Sequence, residues 1–192
     1  MKAGLLLLSG GGSRRMGTAK QDLAHPEGGT WGGHLVRVFQ ALHPEGPIQI
    51  LGEALPDHPA LPRLDDPRQG PALALRHWAK ILLPAAQLNV ERWWVVACDQ
   101  VRWTPERLEA WTQTCEAADP AAAHWVLALH EGHLQPLGGW LPQALRPALS
   151  QSTGASLLRL VQALPHLALP QEGPEWADVD TPEERSEFEA GR

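Results

Sequence analysis

The chain has 192 residues, of which 43% are hydrophobic and 20% are charged, and its formal net charge is -6 at pH 7. These values predict one globular domain over residues 1–192 and exclude a disordered or fibrous protein. The negative charge argues against a nucleic-acid partner, which needs a surplus of Lys and Arg. Two unclustered cysteines fit a reduced cytoplasm, and the first apolar run is too short for a signal sequence or a membrane span.

Short apolar runs along the chain predict buried strands, because each run ends at glycine, proline or polar residues. The predicted strands are residues 2–8, 48–51, 93–98, 125–129 and 134–140. The last two flank His130 and His133 and are expected to form a hairpin. Two histidines without a third ligand at regular spacing are interpreted as turn residues rather than as a metal site.

Other stretches show the spacing of one helix face or carry helix-start signals. The predicted helices are residues 31–42, 71–83, 105–118, 141–149 and 155–164, with a last helix opened by a capping box at 181–184. Residues 175–179 are expected to be extended. The alternation of strands and helices predicts an α/β three-layer sandwich with a mostly parallel sheet.

A glycine-rich loop, LSGGGSRRMGTAK, follows the first predicted strand and spans residues 8–20. Successive glycines let backbone N–H groups approach a phosphate, and two arginines and Lys20 add positive charge. The Walker pattern fails because Gly17 is followed by Thr18 and Ala19, and the dinucleotide pattern fails because its third glycine would fall on Arg15. We therefore expect a phosphate loop of another kind, in which Lys20 is exposed.

The loop resembles the signature Leu-Ala-Gly-Gly-x-Ser-x-Arg-Met-Gly-x-x-Lys of molybdenum cofactor guanylyltransferases, with Ser9 in place of Ala. That resemblance implies a Rossmann-like nucleotidyltransferase fold and a cytoplasmic enzyme that attaches GMP to molybdopterin. It also implies nucleotide-binding and catalytic roles for residues along the chain. The implied nucleotide-binding residues are Leu8, Ser9, Gly10, Gly11, Gly12, Ser13, Lys20, Asp65, Asp66, Gly70, Pro71 and Asp99, and the implied catalytic residues are Arg15, Lys20 and Asp99.

Asp65 and Asp66 precede Gly70 and Pro71, as in the family's segment beside the guanine and ribose. A carboxylate there would accept hydrogen bonds from the guanine N1 and N2 donors. The alternative is that these carboxylates cap a turn before a helix.

Asp99 ends a hydrophobic strand, where it is expected to bind Mg²⁺ through a hard oxygen ligand. The family has x-Pro after this Asp, whereas here Gln100 and Val101 follow. Helix capping or a salt bridge is the alternative role.

Asp178 and Asp180 stand where the family has two Asn residues, and they are expected to lie near the metal or the acceptor phosphate. Related cytidylyl and sugar-phosphate nucleotidyltransferases often carry Asp-x-Asp here, so CTP or a sugar phosphate remains an alternative substrate. Gly11 favours the guanylyl version, because the cytidylyl loop typically has Ala. A nonenzymatic nucleotide-binding protein with the same fold also remains open.

The reaction implied by the resemblance is attack by the acceptor's terminal phosphate on the α-phosphorus of GTP, with pyrophosphate leaving and Mg²⁺ as cofactor. The expected acceptor is molybdopterin or molybdenum-molybdopterin. Molybdoenzyme-maturation proteins are possible protein partners, although no distinct docking segment is present.

Overall fold

The structure is a computed structural model that describes residues 1–10, 19–65, 69–81, 89–153 and 156–191. Within these ranges, seven strands form one sheet. They are β1 (Ala3–Ser9), β2 (Ile48–Gly52), β3 (Arg63–Leu64), β4 (Arg92–Ala97), β5 (Trp125–His130), β6 (His133–Pro142) and β7 (His166–Pro170). Their order is β3-β2-β1-β4-β6-β5-β7, and β6 runs antiparallel to both neighbours while all other pairs are parallel. The predicted mostly parallel sheet is confirmed.

Six α-helices lie in the described ranges, and those beginning at residues 31, 71, 105 and 182 start where the sequence predicts, whereas those beginning at 146 and 157 start later than predicted. They are α1 (Trp31–Leu42), α2 (Pro71–Lys80), α3 (Pro105–Ala118), α4 (Arg146–Gln151), α5 (Leu157–Gln162) and α6 (Pro182–Glu189). Thr104 caps α3 by accepting a hydrogen bond from the Arg107 N–H, and Thr181 forms with Glu184 the capping box that opens α6. No helix in the described part of the chain is both long and apolar enough to cross a membrane.

The strands alternate between two cores, because successive side chains of a strand point to opposite faces. On β1, Leu5 and Leu7 pack with residues of α1 and α3, whereas Leu6 and Leu8 pack with residues of α2, α4 and α5. The sheet is therefore covered on both faces, which confirms the three-layer arrangement.

All nine tryptophans are buried, each with at most 3% of its surface exposed. Trp93 and Trp94 are adjacent in β4 and enter opposite cores. The indole N–H groups of Trp94 and Trp111 both donate to the Gly138 carbonyl, at 3.0 and 2.9 Å. The tryptophans thus serve core packing rather than base stacking.

Several sequence predictions differ from the structure at the ends of elements. Residues 175–179 are not uniformly extended, because Pro174–Trp176 forms a 3-10 turn that buries Trp176. Leu141 belongs to β6 rather than to a helix, and residues 82–83 and 155, predicted to be helical, lie outside the described ranges. The short edge strands β3 and β7 were not predicted.

A buried ion pair joins the start of β4 to the end of α3. The Arg92 guanidinium lies 3.1 Å from the Asp119 carboxylate, and both side chains are at most 4% exposed. Asp119 also accepts hydrogen bonds from the backbone N–H groups of Ala123 and His124, at 3.2 and 3.1 Å. Removing one partner of such a pair leaves a buried charge uncompensated.

We expect Asp119→Ala to lower the free energy of unfolding by about 3–5 kcal/mol, measured by urea denaturation. The matched control is Glu189→Ala, which breaks an ion pair with Arg185 whose side chains are 34% and 41% exposed. That control should cost less than about 1 kcal/mol. Equal losses in the two variants would contradict a stabilising role for the buried pair.

Candidate active site

Three parallel strands end together at one edge of the sheet. Ser9 of β1 pairs with Gly52 of β2, and Leu8 pairs with Ala97 of β4. The chain segments that leave these strands are also hydrogen-bonded, since Cys98 N–H donates to the Leu8 carbonyl at 3.1 Å. This carboxyl edge is where open α/β sheets place their ligands.

Position 52, at the end of β2, requires glycine because the end of β1 lies too close for a side chain. The φ of Gly52 is +121°, and a Cβ atom there would lie 1.7 Å from the Ser9 carbonyl oxygen. The following residue, Glu53, donates its N–H to the same oxygen at 2.6 Å. Gly52 was not predicted as part of the site, although a glycine directly after an apolar strand was a usable signal.

The central part of the predicted phosphate loop lies outside the described residues, including Gly11, Gly12, Ser13 and Arg15. Both ends of the loop are described. Leu8 and Ser9 are buried at the end of β1, and Gly10 is exposed with a φ of +151°. Among the described residues, the buried Ser9 hydroxyl has no hydrogen-bond partner.

Lys20, at the far end of that loop, lies between two carboxylates from distant parts of the chain. Its Nζ is 2.9 Å from Asp99 Oδ2 and also donates to Asp180 Oδ1. The expectation of an exposed lysine is wrong, because these partners leave only 12% of its side chain exposed. Burial alone would lower the pKa of Lys20, but the two carboxylates raise it above its ordinary value.

Asp99 reaches this position without the proline that follows it in the guanylyltransferase signature. Gln100 is buried directly after it, and its side-chain oxygen lies 3.5 Å from the Ala97 N–H across the turn that leaves β4. Burial and the neighbouring Asp99 charge raise the pKa of the Cys98 thiol to about 12, so this cysteine is protonated at neutral pH.

A backbone contact fixes the segment that carries Asp178 and Asp180. Val179 N–H donates to the Asp99 carbonyl at 3.1 Å, and the Val179 side chain is fully buried beside Val101. The two flanking aspartates remain outside that core. The fold therefore brings Asp180 to the lysine that Asp99 also contacts, and it leaves Asp178 close enough for the Asp99 charge to act on it.

The site carries more negative charge than its lysine neutralises. Desolvation, followed by the charges of Asp99 and Asp180, raises the pKa of Asp178 to about 7. Asp178 is also exposed, so water screens its interactions with the neighbouring charges. Within the described residues, Asp99 and Asp180 thus share Lys20 while Asp178 adds a third carboxylate nearby, and hard carboxylate oxygen atoms are the ligand type that Mg²⁺ prefers.

The predicted guanine-side segment is described only in part. Asp66 lies outside the described residues, and the Asp65 side chain is 90% exposed and lies 3.5 Å from Arg63. Gly70, with a φ of +96°, and Pro71 begin α2 without a side-chain cap. In the described ranges the structure therefore joins Lys20 with Asp99 and Asp180, and it leaves Asp65 at the surface.

The hairpin histidines occupy the positions expected for turn residues. His130 ends β5 and His133 begins β6, with Glu131 and Gly132 between them at positive φ. His130 Nδ1 lies 3.2 Å from the Gln171 carbonyl oxygen.

Comparison with solved structures gives matches over nearly the whole chain. Molybdopterin-guanine dinucleotide biosynthesis protein A from Archaeoglobus fulgidus is 16% identical, with a TM-score of 0.71 and coverage of 97% of this chain and 96% of that chain. Rv0371c from Mycobacterium tuberculosis, in complex with manganese, is 17% identical, with a TM-score of 0.63 and coverage of 99% and 98%. The 2-C-methyl-D-erythritol 4-phosphate cytidylyltransferase from Thermus thermophilus is 13% identical, with a TM-score of 0.65 and coverage of 99% and 98%.

At these identities the likeness establishes the fold. No match was found among curated proteins. The family model of the MobA-like NTP transferase domain matches residues 5–168, which is most of the chain. The chain therefore belongs to the MobA-like NTP transferase domain family of nucleotidyltransferases.

Proposed function

We propose that this chain transfers GMP from GTP to the terminal phosphate of molybdopterin or molybdenum-molybdopterin in the cytoplasm, releasing pyrophosphate. One observation carries the proposal. Lys20, at the end of the glycine-rich loop, meets Asp99 and Asp180 at the carboxyl edge of the parallel strands. A phosphate-binding loop and a group of carboxylates are thus joined at one point.

The loop supplies the groups that hold the triphosphate in this proposal. Gly10 leaves β1 in a conformation that favours glycine, and Lys20 closes the loop with a charged amine. Gly11, Gly12, Ser13 and Arg15 complete it in sequence. Their amides and the Arg15 guanidinium would stabilise the charge that grows on the leaving pyrophosphate.

Asp99 and Asp180, with Asp178 beside them, would hold Mg²⁺. The fit rests on charge. Within the described residues, Asp99 and Asp180 share one lysine, and Asp178 adds a third carboxylate. Burial and the charges of Asp99 and Asp180 raise the pKa of Asp178, and a cation would relieve that crowding. When bound, the ion supplies positive charge to the phosphates of the nucleotide. A structural neighbour, Rv0371c, was crystallised with manganese, which supports a divalent ion here.

The acceptor needs little activation by the protein, because a phosphate monoester is already ionised at neutral pH. Catalysis then depends on holding the two substrates in line and stabilising charge. Lys20 is suited to this role because its raised pKa keeps it charged at neutral pH.

The choice of GTP rests on the loop sequence, in which Gly11 matches the guanylyl version. Asp65, Asp66, Gly70 and Pro71 are proposed to contact the guanine and ribose. CTP is the second candidate, because Asp178 and Asp180 replace two Asn residues and a cytidylyltransferase shares the fold. A protein that binds nucleotide without turnover is the third.

We expect GTP with Mg²⁺ to raise the melting temperature, and CTP with Mg²⁺ to leave it unchanged. At 100 times its Kd, a ligand bound only by the native state contributes about 2.7 kcal/mol, or roughly 5–10 °C for a chain of this size. Differential scanning fluorimetry measures the shift. Stabilisation by CTP alone would favour the cytidylyl reaction, and stabilisation by GTP without pyrophosphate release in the presence of molybdopterin would favour simple binding.

Replacing the lysine tests whether the site is catalytic. We expect Lys20→Met to reduce pyrophosphate release by at least about 100-fold, since it removes a charge that stabilises the transition state. The control is Lys80→Met at the exposed end of α2, which should keep wild-type activity. Circular dichroism verifies that both variants fold. Activity of folded Lys20→Met within a few-fold of wild type would disprove the role.

The crowded carboxylates predict a dependence of stability on pH. Because the pKa of Asp178 is raised from 3.8 to about 7, the native state holds a proton that the unfolded state loses within that window. Without divalent ions, the contribution of Asp178 to stability should therefore fall as pH rises from about 4 to 7, so Asp178→Asn should gain stability relative to wild type over that range.

Urea midpoints at pH 5 and pH 8 in a chelator measure the effect. Solvent screening of the exposed carboxyl keeps it modest in size but does not change its sign. The control is Asp65→Asn, whose side chain is 90% exposed. If Asp178→Asn is less stable than wild type at pH 8, the claim that the Asp178 charge is repelled by Asp99 and Asp180 is wrong.

A further inference from the structure

A second group of possible metal ligands lies beside the segment that follows Asp99. His25, Glu27 and His34 each offer one ligand atom, and these atoms lie within 4.8 Å of one another. His25 comes shortly after Lys20 in sequence, and His34 lies in the first turns of α1. Both histidines are buried, with 7% and 4% of their surfaces exposed.

Hydrogen bonds to backbone carbonyls fix the tautomer of both rings. His25 Nε2 lies 3.3 Å from the Val101 carbonyl oxygen, and His34 Nε2 lies 2.8 Å from the Trp103 carbonyl oxygen. A carbonyl oxygen only accepts, so both Nε2 atoms carry hydrogen and donate it. In a neutral ring the other nitrogen, Nδ1, then keeps its lone pair.

Both rings are neutral at physiological pH. Burial, with the neighbouring His34, lowers the pKa of His25 to about 4, and burial also lowers the pKa of His34. The Glu27 N–H donates to His25 Nδ1 at 3.2 Å, which agrees with an unprotonated Nδ1, and a metal ion on this atom would replace that hydrogen bond. A histidine that donates one N–H to a carbonyl and presents its other nitrogen unprotonated has the arrangement of a metal-binding histidine.

The Glu27 carboxylate faces one of these lone pairs. Its Oε2 lies 3.6 Å from His34 Nδ1, so two acceptors approach each other without a proton between them. A cation between the two atoms removes that conflict. The Glu27 side chain is 71% exposed, which leaves it free to adjust to an ion.

Two of the neighbouring arginines are paired with carboxylates. Arg37 lies 3.8 Å from Asp57, and Arg107 lies 3.5 Å from Glu175. A cavity of about 300 Å³ opens beside the two histidines and Glu27. It leaves room for water as a further ligand.

We propose that His25 Nδ1, His34 Nδ1 and a Glu27 carboxylate oxygen bind a divalent transition-metal ion of the Zn²⁺ class. Two imidazoles and one carboxylate with an open position form a ligand set of the kind that Zn²⁺ takes. The rings are stacked with centroids 3.6 Å apart and an angle of 10° between their planes, so both would have to turn about their Nε2 hydrogen bonds for the two Nδ1 atoms to face one ion.

The proposed ion would fix the loop that carries Asp99. The two histidine ligands donate hydrogen bonds to the carbonyls of Val101 and Trp103, which follow Asp99 in the chain. A bound metal would restrict both rings and thereby the backbone to which they are hydrogen-bonded. The site is therefore structural, and it is separate from the carboxylates that surround Lys20.

Titration of the untagged full chain with Zn²⁺, and with Co²⁺ as a spectroscopic probe, tests the proposal. Millimolar Mg²⁺ is kept present to occupy the carboxylate site. We expect one equivalent of metal and Co²⁺ visible absorption bands typical of nitrogen ligation. Replacing a ligand should weaken binding by at least about 100-fold in His34→Gln and about 10-fold in Glu27→Gln.

The matched control is the double variant His130→Gln and His133→Gln, which removes two imidazoles from the β5–β6 hairpin and leaves the cluster intact. It should bind Zn²⁺ like the wild type. Equal affinity in wild type and His34→Gln, or weaker binding in the hairpin variant, would overturn the proposal. If His34→Gln fails to fold, Glu27→Gln decides, because its exposed side chain can be replaced without disturbing the core.

Discussion

The site depends on one interaction, the pairing of the Lys20 amine with the carboxylates of Asp99 and Asp180. These residues come from the end of the glycine-rich loop, the end of β4 and the segment before α6. Without Lys20, the two carboxylates would repel each other. Without the carboxylates, the buried lysine would lose its hydration and nothing would offset that cost. Together they hold three distant segments at one edge of the sheet, where open α/β sheets place their ligands.

The sheet positions these residues because β1, β2 and β4 end at the same level. Ser9 and Gly52 come so close that only glycine fits beside the Ser9 carbonyl. Val179 then anchors the third segment, because its side chain enters a small core and its N–H bonds to the Asp99 carbonyl. Backbone contacts of this kind position the carboxylates before any ligand is considered.

Local patterns were sufficient to predict α1, the cap of α3 and the capping box of α6, because these features depend on neighbouring residues. The edge strand β7 escaped prediction, since it pairs with β5 alone and its pattern of burial is weak. The burial of Lys20 depends on Asp99 and Asp180, which are far away in sequence. Residue spacing along the sequence does not predict such partners. Asp99 could be predicted as a site residue because it directly follows an apolar strand.

The same fold serves proteins with different substrates, so the specific chemistry must come from side chains at the edge of the sheet. Here, two aspartates stand where the resembled guanylyltransferase signature has asparagines, and they add negative charge beside Asp99. An amide could donate a hydrogen bond to a phosphate, whereas a carboxylate must approach it through a cation. In the proposed reaction, the replacement would therefore make nucleotide binding depend more strongly on a metal ion, whichever base the protein selects.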